Sequence, residues 1–591
     1  MVMGYTGKLL FVDLASRDVQ IETPDEGFYR DYMGGYGLGV RILYDRQRGG
    51  VDALGPENVF GVIGGALNGM SAPMSSRWTV VCKSPLTGTW GDANSGGDFG
   101  PYMRYAGFDG IFFRGIPDQP VYLLVNDSHA ELRDATGLWG KDSVETEDIL
   151  KGEHGRDARL LCIGQGGEKL SLISGVVTNK GRLAARSGVG AVMGSKKLKA
   201  VVVKGKKDIP IADKDKMLQV RRDMLEALHG PMEDRYKKYG TAGLLAGHTT
   251  SGRTPTKNWG GIGPVDFPQM KKVSDDAVIK YEVKKFACWG CPWACGGHVM
   301  VPDGPYAVAG HKPEYETLAT FGTMCLNDNV ESIIKCNDIC NRYGLDTISV
   351  GCTLAFAVEC YENGIITKED TDGMELTWGN HQALVAMTEM IARREGFGQV
   401  LADGVSKAYE RLGRGSAKEF AVHIGGQELG MHDPKQSGGL DRYLLDATPG
   451  RHTQGGGARS FRQHVINMVG FCYFGNLAVD MPQFVPRFLA ASTGWERSWE
   501  EIQMVGERVA NLRQVFTLRE GLNPATREVP GRVYGNPPLQ VGPTAGATVD
   551  VEKEVREWHL ARDWDPATGK PSRQKLLQLN LGELARELWP D

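Results

Sequence analysis

The stretch FACWGCPWACGGH, residues 286–298, decides how the rest of the chain is read. It sets Cys288, Cys291 and Cys295 in a C-x2-C-x3-C pattern. Soft thiolates this close together point to a soft metal. Three are one short of a closed tetrahedral site. Zinc ribbons use two C-x2-C pairs and classical fingers a distant His pair. Only one such pair is present, although His298 is available as the fourth ligand of a Cys3His site. A cubane iron–sulfur cluster accepts three close thiolates and one remote one. Buried, unliganded thiols are the third reading. The spacing favours the cluster.

The remaining cysteines are Cys82, Cys162, Cys325, Cys336, Cys340, Cys352, Cys360 and Cys472. Cys336 and Cys340 lie one helical turn apart and read as small core residues. Cys472, in NMVGFCYF, follows Gly470, a hint of a backbone bend at a crowded place. Two stretches also echo each other. NRYGLD, from Asn341 to Asp346, and NMVGFC, from Asn467 to Cys472, share N-x-x-G-(L/F)-(D/C). Spacing alone does not pick the fourth ligand.

Bulk properties narrow the classes. The 591 residues suggest three or four domain-sized units. A composition 41% hydrophobic and 24% charged is that of an ordinary globular chain. The net charge of -4 argues against nucleic acid as a partner. The 79 glycines are close to twice the usual share. They gather in GGYGLG, NSGGDFG and GGGARS, as expected where backbone approaches a large ligand. The N-terminus offers only LLFV as an apolar run, so neither a secretory segment nor a membrane span is expected. The cysteines then read as reduced thiols or metal ligands in a cytoplasmic protein.

The pattern divides the chain. GKLLFVDLASRDVQIE reads as two strands around a polar turn, and VYLLVNDSHAELRD as a hairpin turning at Asn126-Asp127. RLLCIG, SLISGVVT and KAVVVKG add short strands. After the charged segment KGKKDIPIADKDK the period becomes helical. VESIIKCNDICNRYG predicts a helix closed by Gly344, and HQALVAMTEMIARREGFG and VGERVANLRQVFTLREGL predict two more. The expected class is α+β: a β-rich N-terminal domain (1–208), a helical domain carrying three of the motif cysteines (209–415) and a helical C-terminal domain (416–591).

Three glycine-rich loops need a reading. SGVGAVMG is no dinucleotide loop, because a Rossmann loop must open a long helix and only AVMGSKKL precedes the next strand. GRLAARSG suits either phosphate groups or a solvated basic turn. DANSGGDFG is either a tight turn or a turn wrapped on a ligand.

Together these pieces resemble the tungsten-containing aldehyde:ferredoxin oxidoreductase family. The resemblance runs nearly end to end, through GKLLFVDL, MGGYGLG, SPLTGTWGDANSGGDFGPYMRYAGFDGIFFRG, RSGVGAVMGSKKLKAV, the cysteine motif, KPEYETLATFG and NLRQVFTLREGL. It implies a β base domain that binds pterin, with two helical domains over it. It implies tungsten (or molybdenum) held by two pterins, a Mg2+ ion shared by the pterin phosphates, and a 4Fe–4S cluster beside one pterin. By match to the family motifs, Cys472 joins Cys288, Cys291 and Cys295 as the fourth cluster ligand. By the same match, Arg77 is expected to link cluster and pterin, and Asn94 and the Leu183 carbonyl to touch magnesium. Gly96, Arg182, Ala185, Arg186, Leu345 and Asp346 are expected by that match to contact pterin, as are Asn341 and Asn467 in the paired motifs and Tyr473 just after the second.

The chain departs from the pattern at several points. Both paired motifs begin with Asn where the family has Asp, which replaces an acceptor-only group by one acceptor and one donor. Ala185 stands for a usual Gly, and Lys335 stands at a glutamate position used by members that share an iron between subunits, so that iron is not expected. The segment between His452 and Asn467 is short, which bears on substrate size.

Glu316, in EYET, and His452, in PGRHTQ, match the family's acid–base pair. The implied reaction adds water to an aldehyde carbon and withdraws two electrons, in either direction. A carboxylate of raised pKa takes the water proton, and a histidine supports the developing oxyanion. The implied partners are a small aldehyde or carboxylate and ferredoxin or a small iron–sulfur subunit, in an oligomer. Two alternatives are a reductive enzyme for an aromatic thioester and a pterin-free electron-transfer protein.

Overall fold

The computed structural model describes residues 2–455 and 457–590; Gly456, of the GGGARS cluster, lies outside them. Two mixed six-stranded sheets fill the N-terminal third. The first runs in the order β2-β1-β6-β3-β4-β5, built from β1 (Leu9–Asp13), β2 (Val19–Glu22), β3 (Phe60–Gly64), β4 (Trp78–Lys83), β5 (Trp90–Ser95) and β6 (Gly110–Arg114). The second runs β11-β10-β9-β12-β7-β8, from β7 (Val121–Asn126), β8 (His129–Asp134), β9 (Arg159–Cys162), β10 (Val176–Thr178), β11 (Arg182–Ala184) and β12 (Leu198–Lys204). Each sheet has one parallel pair, β1 with β6 and β7 with β12.

Alternation along the strands sets the layers. Leu10 and Val12 of β1 share one buried core with Val121, Leu123 and Val125 of β7, so the sheets stack on each other. Their neighbours in sequence point the other way. Leu9 joins a core with the helix Gly35–Arg46 and the C-terminal helices, and Tyr122 and Leu124 join a third core beneath the second sheet. Burying each such side chain contributes about 1.5–3 kcal/mol.

The β7–β8 hairpin turns one residue later than expected. Asn126 pairs with His129, and the turn residues are Asp127 and Ser128, both left-handed with φ 46 and 71. Asp tolerates that region well enough to take the first corner itself. The helix Val330–Tyr343 ends as expected on Gly344, at φ 71 and ψ 44. The helix His381–Arg393 instead closes on a left-handed Arg394.

Helices follow the sheets, and with them a three-stranded antiparallel sheet of β13 (Glu282–Phe286), β14 (Gly296–Val301) and β15 (Val308–His311). The helix Arg462–Val469 and the helix Trp499–Arg519 fold back onto the first sheet through Val465, Met468, Val509 and Leu512. This contact explains the run GGYGLG: a Cβ on Gly35 (φ 49) would lie 2.6 Å from the Asn467 carbonyl oxygen. There the glycines make room for the chain's own backbone rather than for a ligand. No helix among the described residues is long and apolar enough to cross a membrane.

Candidate functional site

A cavity of about 720 Å³ lies where the two sheets meet the helices. A larger surface cleft of about 1170 Å³, among residues 406–423 and 528–540, contains none of the sequence-expected residues. The 720 Å³ cavity is lined by Arg77, Asn94, Gly96, Arg182, Leu183, Ala185, Asn341, Leu345, Asp346 and Tyr473, by all four motif cysteines, and by Glu316 and His452. Arg186 and Asn467 do not line it.

The cysteine end is assembled from two distant loops. Cys288, Cys291 and Cys295 occupy the connection from β13 to β14. Cys472 follows the left-handed Gly470 (φ 82) that closes the helix Arg462–Val469, the bend expected there. Met74 ties the two loops together: Cys472 N donates to its carbonyl at 2.9 Å, and its own N donates to Gly290 O at 3.1 Å. No cysteine is in a disulfide. The Cys291 thiol is pushed up to about 12 by burial and then by Cys288 and Cys472. Thiols that oppose one another's ionisation gain most from a cation among them. His298 does not line the cavity; its ring packs on His311 and Phe286 instead. Cys336 and Cys340 are buried in the helical core, as expected.

Beside the cysteines, a Cβ on Gly96 would lie 2.8 Å from Cys288 Sγ. Arg182 pairs with Glu314 at 2.8 Å and keeps a buried Nε without a protein partner. An open guanidinium donor suits an anionic oxygen. DANSGGDFG is not only a turn, because Asn94 sits within β5. Asp346 caps the helix Thr347–Glu362, accepting from Ile348 N at 3.1 Å and Ser349 Oγ at 2.9 Å. Arg186 Nε lies 3.3 Å from Asp346 Oδ2, one layer behind the wall.

Asn467 belongs to a directed chain of hydrogen bonds. Arg77 Nη1 donates to Asn94 Oδ1 at 2.8 Å, and Asn94 Nδ2 donates to Asn467 Oδ1 at 3.3 Å. Asn467 Nδ2 donates to Gln454 Oε1 at 2.9 Å, and Gln454 Nε2 donates to Asp92 Oδ2. An arginine only donates and a carboxylate only accepts, so the two ends fix the direction of every amide between them. Asp92, fully buried, also accepts from Trp90 Nε1, Thr448 Oγ1 and Arg513 Nη2. Its backbone carbonyl accepts from Arg451 Nη1 at 2.7 Å. The segment carrying His452 is thereby fastened to β5.

The same cavity holds a carboxylate between two imidazoles. Glu316 sits in the short helix Tyr315–Leu318, which runs into one π turn, Ala319–Thr323. Its Oε2 accepts from Met431 N at 2.8 Å. Its Oε1 lies 3.3 Å from both His452 Nε2 and His432 Nε2, yet is buried with no hydrogen bond of good geometry. Burial pushes the Glu316 carboxyl up, but His452, His432 and the Met431 N–H outweigh it and hold it at about 2. The net direction is downward, opposite to the sequence expectation. Burial holds the His452 imidazole at about 3, against the pull of Glu316. At neutral pH the pair is a carboxylate and a neutral imidazole. Sequence reasoning missed His432: nothing in GMHDP marks it, and only the tertiary fold brings it to Glu316.

Comparison with known proteins follows the same lines. A family model described as aldehyde ferredoxin oxidoreductase, N-terminal domain, matches residues 9–205, and one for its domains 2 & 3 matches residues 219–581. The chain is 34% identical to the tungsten-containing aldehyde ferredoxin oxidoreductase of Pyrococcus furiosus, covering 98% of this chain and 99% of that protein. It is 34% identical to the protein of the same description from Thermococcus kodakarensis, over 98% and 99% of the two chains. It is 31% identical to an aliphatic sulfonate oxidoreductase, WOR-like subunit, of Pyrococcus furiosus, over 99% and 98%. Among solved structures, the active site complex BamBC of benzoyl coenzyme A reductase superposes with a TM-score of 0.83 at 22% identity, covering 100% of this chain and 99% of that one. That likeness shows the shared fold alone.

Proposed function

The chain belongs to the aldehyde ferredoxin oxidoreductase family, and from that premise we propose that it oxidises an aldehyde with water to a carboxylic acid, releasing two protons and two electrons. The observation that carries this reading is one cavity lined both by four thiols and by the cluster of Glu316, His432 and His452. The residues fit the cofactors the family implies. Cys288, Cys291, Cys295 and Cys472 would hold a 4Fe–4S cluster. Gly96, Arg182, Leu183, Ala185, Asn341, Leu345, Asp346 and Tyr473 would hold two pterins, supported from behind by Arg186 and Asn467. Asn94 and the Leu183 carbonyl would serve Mg2+, and Arg77 would stand between cluster and pterin. When bound, the tungsten (or molybdenum) centre supplies a two-electron acceptor and the cluster supplies a one-electron exit.

The chain's own residues handle water and protons. Glu316, anionic at neutral pH, accepts a hydrogen bond from the attacking water through its open Oε1. The proton that the water gives up toward Glu316 leaves the site as one of the two protons released in the reaction. Neutral His452 donates its N–H to the aldehyde oxygen as charge develops there. Electrons leave to ferredoxin or a small iron–sulfur subunit of an oligomeric cytoplasmic enzyme.

Anaerobic purification with metal and pterin analysis tests this reading. About one tungsten or molybdenum, two pterins and four irons per chain are expected, with aldehyde-dependent reduction of a viologen dye. Stoichiometric zinc without pterin fluorescence would sink it.

A further inference from the structure

The proposed chemistry uses the inner wall of the cavity and leaves its outer cations unexplained. Three lining cations are committed to the fold. Arg77 donates to Asn94 Oδ1, Arg182 pairs with Glu314, and Lys312 pairs with Glu282. Arg235 also lines the cavity and lies over the Tyr236 ring, 5.8 Å from its centroid; Arg253 and Arg442 line the same cavity. Among the described residues, neither guanidinium has an ion pair or a side-chain hydrogen bond.

Both arginines belong to segments joined to the loop that carries His432. The Arg253 backbone is held at both ends, its N donating to His248 O at 2.8 Å and its O accepting from Asp433 N at 2.7 Å. Asp433 follows His432 directly, so Arg253 is tied to the loop that carries the second imidazole. Arg442 stands at the other end of that loop, after the left-handed Gly438 and Gly439 (φ 66 and 87). A Cβ on Gly439 would collide with Arg442 Nη2, so the turn is shaped to let the guanidinium lie over it. The nearest carboxylate in sequence, Asp441, is occupied by the Arg442 backbone N–H at 2.7 Å.

Between the arginines and Glu316 the wall is aromatic. The His248 ring lies 5.3 Å from Tyr315 and 5.7 Å from His432, which lies 4.6 Å from His452. Burial, then His432, Arg253 and Arg235, hold the His248 imidazole down to about 4, so it adds no charge of its own at neutral pH. The cavity wall thus carries two open cations, this group of rings and the carboxylate.

On a convex surface two such arginines would simply be solvated. Here both line the cavity that holds Glu316, so a substrate that fills it lies against them. A neutral tail would strip their water and give nothing back. An anionic tail would exchange that water for charge-assisted, forked hydrogen bonds. We propose that this cavity takes aldehydes whose far end carries an anion (a carboxylate, sulfonate or phosphate) held between Arg253 and Arg442. This rests on the aldehyde-oxidising reading above and names its substrate class. The anion does not react.

The test uses the holoenzyme with a viologen acceptor and matched aldehydes. Succinate semialdehyde is compared with butanal; sulfoacetaldehyde and glyceraldehyde 3-phosphate separate the three anions. We expect kcat/KM to favour the best anionic substrate over its neutral match by about ten-fold or more, mostly through KM. Arg442→Gln and Arg253→Gln should each shrink that ratio, the double variant should abolish it, and Arg442→Lys should restore part of it. Calorimetry of succinate against butyrate, on wild type and double variant, reads anion recognition without turnover. Equal kcat/KM for charged and neutral aldehydes, or a ratio that survives in the double variant, overturns the proposal and leaves aldehyde oxidation standing. If no aldehyde is oxidised, the functional reading fails. The calorimetric difference then still decides the arginines: its presence supports the anion site and its absence overturns it.

Discussion

Asp92→Asn is an almost isosteric change that breaks the polarity of a buried chain. In the native protein Asp92 Oδ1 receives Trp90, Thr448 and Arg513, and Oδ2 receives Gln454. An asparagine has one oxygen to offer both groups. The lesser loss keeps the oxygen toward Trp90, Thr448 and Arg513 and turns the amide nitrogen onto Gln454 Nε2. Gln454 could escape by flipping its own amide, but its nitrogen would then face Asn467 Nδ2, and the conflict would travel toward Arg77. Asp92 and Gln454 are both fully buried, so water does not relieve the pair. Two buried donors left facing each other cost about 1–3 kcal/mol each, hence about 2–6 kcal/mol together. Arg513 keeps its bonds to Asp446 at 2.8 and 3.0 Å, so the full cost of an orphaned buried cation is not incurred. The functional effect comes through Gln454, two residues from His452. A displacement of about 1 Å there lowers kcat by about 10²-fold. The assay is a thermal melt of the holoenzyme beside kcat/KM for one aldehyde, with Gln454→Leu completing a double-mutant cycle. An unchanged melt with unchanged kcat/KM, or strict additivity with Gln454→Leu, would falsify the argument that amide direction holds this segment.

Cys472→Ser should lose the reduced-cluster EPR signal and iron, because a hydroxyl poorly replaces a soft thiolate; Cys336→Ser, in the helical core, should keep both. Retention of the signal in the first variant and its loss in the second would move the fourth ligand. Glu316→Gln should retain metal and pterin while kcat falls by about 10²-fold or more, since the amide cannot serve as the acceptor of the water proton. With Glu316 held at about 2 and His452 at about 3, neither group changes charge near neutrality, so the pair gives kcat/KM no acid limb until the pH falls toward those values. A limb near the ordinary histidine pKa that disappears in a His452 variant would contradict the neutral-imidazole assignment.

The strands were legible because their side chains alternate between two buried faces, as Leu9 and Leu10 do. The cysteine triplet was legible because its ligands are local. The fold-back of the helix Trp499–Arg519 onto β5 was not, since helical period reveals an apolar face but not what covers it. The same limit hid His432. Glu316, His432 and His452 come from separate segments, and each segment alone reads as a surface helix or a loop. The direction of the Glu316 shift was lost for that reason too. Burial, the part a sequence suggests, raises it, while the parts that win come from His452, His432 and Met431, all more than a hundred residues away.

The asparagine at 467, puzzling as a departure from the family's aspartate, follows from the chain it joins. Position 467 must accept from Asn94 Nδ2 and donate to Gln454 Oε1 and, at 3.2 Å, to the Tyr36 hydroxyl. A carboxylate accepts but does not donate. With aspartate there, Gln454 would have to turn its nitrogen toward 467 and its oxygen toward Asp92, setting acceptor against acceptor. Asn467→Asp should therefore destabilise the protein at neutral pH. Burial near Asp92 raises the folded pKa of the new carboxyl above its unfolded value of about 3.9, so the penalty is present above that value. It is relieved as the pH falls through the folded pKa, because the protonated acid regains a donor for Gln454. Melts of Asn467→Asp and wild type across the acid range should converge toward low pH. A gap that stays constant, or widens on acidification, would mean that the site tolerates the carboxylate and that donor direction does not explain the asparagine.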